Sequence, residues 1–409
     1  MSEIKNIVVA PHIYLPKTGT DMHAYSVIAC DQFTSQKEYW DELKEMIGNK
    51  LSTFHMIYPE AYLETTNEEE YIKEINGNIS RYLANDELVD IGESFILVER
   101  ITSYGTKRLG LVISIDLEEY SYKRGVPCSI KASEATIVER IPPRLKIRKD
   151  APIELPHTLL LFDDIKKTIV EPLYEKRDSL PLLYDFELNQ NGGHIRGYLI
   201  RDVEKVIQLF NELYIKNNNG LMFVVGDGNH SLATAKAHWE NIKVGFTPSE
   251  KKNHPARYAL VEANNIYDDG IIFEPIHRLL FNVGEEFLSI LSNACSGDSK
   301  IAAYSKNTGK TAIKCPKNAA NAYKMVQDFI DAYLANHLDT KIDFIHDESS
   351  LIELADKNKN SVAIIMPAIG KGDIFEFVAK DQVLPRKSFS MGHASEKRYY
   401  LEAKKIVLD

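Results

Sequence analysis

Apolar residues recur along this chain at two spacings, and the changes from one to the other predict its elements. Helical spacing marks residues 36–47, where Tyr39, Trp40, Leu43, Met46 and Ile47 share a face, and residues 69–83, with Ile72, Ile75, Ile79 and Leu83 on one stripe. It returns at 203–214, where Val203, Val206, Ile207 and Phe210 follow i, i+3, i+4, i+7, and again across 319–336. β-rich runs at 95–101 and 109–115 are joined by Ser103-Tyr104-Gly105-Thr106. A second pair, 184–188 and 194–200, flanks Asn189-Gln190-Asn191-Gly192-Gly193, and both pairs read as hairpins. Residues 7–10, 257–263, 270–273, 361–366 and 374–379 read as further strands. Prolines interrupt the stretch from Pro142-Pro143 to Pro156, which is therefore expected to run extended along a surface.

These elements describe an α/β protein of the mixed α+β kind, with mixed sheets and flanking helices. A main domain over residues 1–281 and a smaller α+β unit over 282–409 are expected, the second either packed with the first as one body or folded separately. A chain of 409 residues with 44% hydrophobic and 26% charged positions is ordinary for a globular protein. No apolar run approaches the ~20 residues of a membrane helix, and Met1-Ser2-Glu3-Ile4-Lys5-Asn6 lacks the pattern of a signal peptide. Four scattered cysteines, Cys30, Cys128, Cys295 and Cys315, include no CxxC pair and read as reduced thiols. The expected location is the cytoplasm. A net charge of −10 argues against a nucleic-acid partner and leaves a small molecule as the expected ligand.

The chemistry concentrates after the buried strand at 221–225, in Gly226-Asp227-Gly228-Asn229-His230-Ser231. Two glycines permit positive φ and close backbone approach, and Asn229 is a good N-cap for a helix over about 231–240. A helix N-terminus with outward N–H groups is an anion seat. Asp227 sharpens the reading, because a carboxylate beside a phosphate repels it unless a metal or a proton lies between. Asp227 is therefore either a ligand of Mg²⁺ carried by ADP or ATP, or a base that takes a hydroxyl proton during phosphoryl transfer. His230 is placed on a phosphate or on the leaving group. The loop is not a Walker A sequence, no GxSxG or HExxH occurs, and no GxGxxG follows a strand.

The turn Val225-Gly226-Asp227-Gly228-Asn229-His230-Ser231-Leu232-Ala233 resembles the DGHHR-x-x-A motif of the domain-of-unknown-function 1015 family. Other segments are similar to that family in order: Asp31, Glu134 with the basic Arg140 to Arg148 stretch, and Gly193-His194-Ile195-Arg196. Glu274-Pro275-Ile276-His277-Arg278 and Leu384-Pro385-Arg386-Lys387-Ser388 follow. The turn also looks like that of the ParB and sulfiredoxin superfamily, which includes archaeal ADP-dependent free-serine kinases. That resemblance implies a ParB/sulfiredoxin-like core around residues 221–240 and nucleotide phosphates at the helix N-terminus. Where the motif has His-His-Arg this chain has Asn229-His230-Ser231, so the arginine clamp is missing and a distant cation must replace it. Arg196, Arg278 and Lys387 are the candidates.

The ligand-binding set read from the sequence is thus Gly226, Gly228, Asn229, Ser231, His194, Arg196, His277, Arg278, Lys387, Ser388, Asp31 and Glu134, with Asp227 and His230 as catalytic groups. Arg398 with Tyr399-Tyr400 reads as helix surface and core. Two functions remain open: a small-molecule phosphotransferase, and a non-catalytic ligand-binding or regulatory protein using the same turn.

Overall fold

The computed structural model describes residues 6–63, 66–123, 125–134, 136, 141–380, 383–385 and 387–408, so Arg140 and Arg386 of the segments above lie outside it. The chain divides into two compact units: one built from residues 1–132, 136–271 and 393–409, the other from 133–135 and 272–392. The division falls at 271/272 rather than at 281/282, and the last seventeen residues return to the first unit. They return because Tyr399–Tyr400 pairs with Val27–Ile28, and Lys404–Lys405 with Ile153–Glu154.

The first unit is organised by one large mixed sheet. Its main strands are β1 (Phe95–Ile101), β2 (Lys107–Asp116), β3 (Ile130–Ala132), β4 (Leu159–Phe162), β5 (Leu182–Leu188), β6 (Gly193–Ile200), β7 (Phe223–Asp227) and β8 (Tyr258–Asn265). They lie in the order β5-β6-β1-β2-β8-β4-β7-β3; β4 runs parallel to β8 and β7 to β3, while the other pairs are antiparallel. Alternation along the strands feeds two cores. Phe95 and Leu97 enter one, Ile96 and Val98 the other. Helices α1 (Lys37–Ile47), α2 (Glu68–Ala84) and α3 (Ile141–Lys149) precede α4 (Val203–Asn217) and α5 (Asn229–Ile242) in the chain. The first core is capped by Phe210 of α4 and Trp239 of α5, the second by Trp40 of α1 and Ile79 of α2. Among the described residues no helix is long and apolar enough to cross a membrane.

The first part of the proline-interrupted stretch is helical as α3 and not extended, whereas Ile153–Glu154 near its end is extended. Pro142 and Pro143 fall in the first turn of α3, where a missing N–H leaves no helical bond unmade. Arg398 and Tyr399-Tyr400 are not helical either: the tyrosines form a strand, and Arg398 is only 4% exposed.

In the second unit, strands β9 (His277–Phe281), β10 (Ser299–Ser305), β11 (Gly309–Cys315), β12 (Lys341–Ile345) and β13 (Val362–Ile365) form an antiparallel sheet in the order β11-β10-β13-β9-β12. Helices α6 (Ala319–Asn336), α7 (Glu348–Lys357) and α8 (Lys371–Ala379) accompany it, and α7 sets Leu351 and Ala355 against Leu279 and Ala363. The run read as a strand at 374–379 is α8. Ile374, Phe375, Phe377 and Val378 are all buried, at a spacing that serves a helix face, and Asp373 accepts the Gly370 N–H at its start.

Charged side chains are buried within the first unit. Arg398 lies between Glu262, at 2.9 Å, and Glu402, at 2.6 Å, and also donates to the Pro156 carbonyl. Tyr184 donates to Glu402 at 2.6 Å. Burial opposes the charge of Glu262, but Arg108 and Arg398 outweigh it and hold the carboxyl below its ordinary value. Gly110 makes room for this group: a Cβ there would stand 2.5 Å from Glu262 Oε1. Replacing Arg398→Met should leave buried Glu402 without its cation and Glu262 with Arg108 at 4.0 Å, and cost about 3–5 kcal/mol. A lowered urea midpoint with unchanged m-value would show it, and a midpoint equal to wild type would refute it.

Candidate functional site

Strand β7 carries Phe223, Val224 and Val225, all at 0% exposure, up to the turn at Asp227. Gly228 then takes φ +79° and caps α5, so the cap is one residue earlier than Asn229. The reason is steric as well as conformational: a Cβ on Gly228 would lie 2.9 Å from the Thr158 Cα and Oγ1. The cap residue, Gly228, has no side chain to cap the helix. Its first N–H groups therefore have no partner from the cap residue, the condition for an anion seat. The Asn229 carboxamide oxygen is shielded from water and has no hydrogen-bond partner among the described residues.

Asp227 is held from two sides. Its Oδ1 accepts the Gly228 N–H at 2.9 Å, and its Oδ2 lies 3.2 Å from Lys397 Nζ. The Lys397 carbonyl accepts from buried Arg100 at 3.1 Å, which fixes the backbone behind that ammonium. Leu159 of β4 lies opposite Asp227, so the residues just before β4, His157 and Thr158, come alongside the turn. His157 Nε2 is 3.9 Å from Asp31 Oδ2, and its Nδ1 is 2.8 Å from the Tyr400 hydroxyl. That hydroxyl also lies 3.1 Å from Cys30 Sγ and accepts the Cys30 N–H at 3.2 Å.

The electrostatics follow from burial and neighbours. Burial opposes the charge on Asp31, but His157, the Gln32 amide, Lys397 and Arg144 together outweigh it, and the carboxyl titrates below its ordinary value. Lys397 thus acts on both Asp227 and Asp31. Burial and the Asp31 charge push the Cys30 thiol up to about 12, so it is not a thiolate nucleophile near neutrality. A cavity of about 150 Å³ opens beside the first turns of α5, with Ser231, Thr234, His157, Cys30 and Tyr400 on its wall.

The sequence-read residues fall into three places. Gly226, Asp227, Gly228, Asn229, His230 and Ser231 form the turn and the start of α5, and Asp31 joins them through Lys397 and His157. His230 contributes its carbonyl to the Thr234 hydroxyl at 2.7 Å. His194 and Arg196 lie on β6, five strand steps from β7, roughly 24 Å at sheet spacing. There His194 meets Asp185 and Glu187 at 2.5 and 2.7 Å, and Arg196 meets Asp185 and Glu99 at 3.1 and 2.8 Å. They do not reach the turn.

Glu134, His277, Arg278, Lys387 and Ser388 belong to the second unit. Arg278, at 0% exposure, donates to Gln327 Oε1 at 2.9 Å and to the Ile276 and Lys387 carbonyls at 2.8 Å. His277 Nδ1 accepts the Met366 N–H at 3.0 Å, and burial pushes that imidazole below its ordinary value. Glu134 accepts the Ser388 N–H at 3.3 Å, and Ser388 is buried. These five hold their own unit together.

Lys397, His157 and Tyr400 are the residues that sequence reasoning missed. The one local signal was the run Glu396-Lys397-Arg398-Tyr399-Tyr400-Leu401-Glu402, which sets four charges among large apolar groups. Nothing in it points to residue 227.

The family described as protein of unknown function (DUF1015) matches residues 14–405, and the chain belongs to it. No curated protein matches the chain. Among solved structures, a conserved hypothetical protein from Pyrococcus furiosus is 11% identical, over 71% of this chain and 90% of that one, with a TM-score of 0.34. A free serine kinase in complex with AMP is 11% identical over 73% and 92%, with a TM-score of 0.37. SbnI with a C-terminal truncation, from Staphylococcus aureus, is 11% identical over 68% and 81%, with a TM-score of 0.36. Likeness of this degree assigns no activity.

Two outcomes follow for the turn and its helix. Gly228→Ala should destabilise the protein by about 2 kcal/mol or more, through the left-handed backbone and the Thr158 contact; equal urea midpoints would refute it. Burial and Arg148 hold His238 of α5 at about 4, below its ordinary 6.5. Below pH 6.5 the unfolded chain takes up a proton that the folded one refuses, so stability falls between pH 6.5 and 4 by up to about 3 kcal/mol. His238→Gln should flatten that part of the stability profile in urea titrations, and an unchanged slope would refute the assignment.

Proposed function

We propose that this member of the family binds a nucleotide or other phosphorylated small molecule over the 226–231 turn and transfers a phosphoryl group to a small hydroxyl acceptor. The observation that carries the reading is Lys397 Nζ at 3.2 Å from Asp227, beside a helix N-terminus whose cap residue, Gly228, has no side chain. A lone carboxylate there would repel phosphate, and the ammonium offsets that charge. Lys397 also supplies the fixed positive charge that Ser231, standing where the motif has arginine, does not.

Phosphoryl transfer asks mainly for positioning and charge. Phosphate oxygens accept from the first N–H groups of α5 and from Lys397. The acceptor oxygen forms a bond to phosphorus as the bond to the leaving phosphate breaks, and the hydroxyl proton passes to Asp31. Asp31 suits that task because its neighbours keep it ionised, and His157, held by Tyr400, positions it. Asp227, engaged by Gly228 N–H and Lys397, anchors the cation instead of acting as the base. Asp227 has both oxygens engaged and Asp31 serves as the base, and no cluster of three metal-ligating side chains occurs among the described residues, so Mg²⁺ accompanying a nucleotide would be held chiefly by its phosphates. When bound, it neutralises phosphate charge.

Thermal unfolding with ADP, ATP and phosphorylated metabolites, with and without Mg²⁺, tests the binding step. A ligand at 100 times its Kd stabilises the native state by about 2.7 kcal/mol. The expected result is a raised Tm for wild type and Lys397→Arg and none for Lys397→Ala; no shift well above millimolar ligand overturns the proposal. Asp31→Asn should retain binding and lose about 10²–10⁴-fold in kcat. Binding without product from any hydroxyl acceptor would replace the transferase by a ligand-binding or regulatory protein.

A further inference from the structure

The cavity beside α5 has a character that the turn does not. It has a volume of about 150 Å³, opens to solvent on one side, and most of its wall is apolar. Ile75 and Ile79 of α2, each 2% exposed, and Met56 from the short 3₁₀ turn Thr53–Met56 form much of that wall, with Ile147 of α3. The two arginines on the wall already have partners: Arg144 pairs with Glu60, and Arg148 with Glu154 at 2.5 Å. The other polar groups on the wall are Tyr58, Thr234, whose hydroxyl donates to the His230 carbonyl, and those of the candidate site, Ser231 and the His157–Tyr400–Cys30 cluster, with Asp31 behind His157.

Size and polarity together select the occupant. An apolar cavity of about 150 Å³ holds a benzene-sized group, whereas whole drug-sized ligands occupy about 300–1,000 Å³. A nucleoside is too large for it. A zwitterion or a polyol would lose water over a mostly apolar wall whose described charged groups, Arg144, Arg148 and Glu154, are already in ion pairs.

We propose that this cavity takes the apolar body of a small alcohol, one branched aliphatic group or a single aromatic ring, with its hydroxyl at Ser231 and the Asp31–His157 pair. The inference deepens the function proposed above and rests on it for the role of that alcohol as phosphoryl acceptor. It separates the acceptor from serine, glycerol and sugars.

The test is direct binding of alcohols to the full-length protein without nucleotide, by ligand-observed NMR and calorimetry. Across ethanol, 2-methylpropan-1-ol, 3-methylbutan-1-ol and benzyl alcohol, affinity should rise about fourfold per added methylene until the cavity fills. It should then fall for 2-naphthylmethanol, and glycerol and L-serine should bind more weakly than benzyl alcohol. Ile79→Phe, which fills the cavity, should lose benzyl alcohol. Ile79→Ala, which enlarges it, should gain 2-naphthylmethanol and serves if the larger side chain prevents folding. Tighter binding of serine or glycerol, or benzyl alcohol binding unaltered in both variants, overturns the inference. If ADP binds and no apolar alcohol does, this inference falls alone. If benzyl alcohol binds as described and ADP does not, the cavity assignment stands and phosphoryl transfer falls.

Discussion

The Arg398 guanidinium sits between Glu262 and Glu402 with 4% exposure, and it makes the closing segment of the chain part of the first unit. Two carboxylates at that depth need a cation, since unpaired charge in a low-dielectric interior is far costlier than paired charge. One of the pair lies on β8 and the other on the closing segment itself, so the ion pair is formed only when that segment is in register. Gly110 leaves the space, and the Pro156 carbonyl takes a further donor. With residue 398 fixed, its neighbours are fixed too. Lys397 is turned to Asp227, and Tyr400 to His157 and Cys30.

The candidate site is therefore assembled from four distant parts of the chain around one lysine. Lys397 differs from the arginine that the family motif carries within the turn itself. An ammonium is a compact point charge on a flexible stem and gives no planar two-pronged clamp. Here the stem is restrained instead by Asp227 and by the Arg100 bond to the Lys397 carbonyl. Placing the cation on a separate segment also leaves the first turn of α5 free of a long side chain. Ser231 can then border the cavity that opens beside it.

In the second unit the same residue types serve architecture. Arg278 is fully buried and donates to Gln327 and to backbone carbonyls, while aromatic faces of Tyr323 and Phe344 lie 5.3 and 4.9 Å from its guanidinium. Such an arginine ties strand β9 to the loop at Lys387. A His-Arg pair in a sequence thus says little of recognition until the partners of its nitrogens are known.

The sequence by itself determined the local matters. Repeats of Val203, Val206 and Phe210 marked α4, both hairpins lay where their turns placed them, and two glycines around Asp227 located a strand-to-helix turn. It misjudged α3 and α8, because proline in a first helical turn and a short run of buried residues each fit two conformations locally. Tertiary structure alone decided that residue 397 meets residue 227, that His157 bridges Asp31 and Tyr400, and that His194, Arg196 and Arg278 serve elsewhere. The reason is physical. Periodicity and turn chemistry act over a few residues, whereas a pairing between segments far apart in the chain depends on strand order and on which buried charges must find each other.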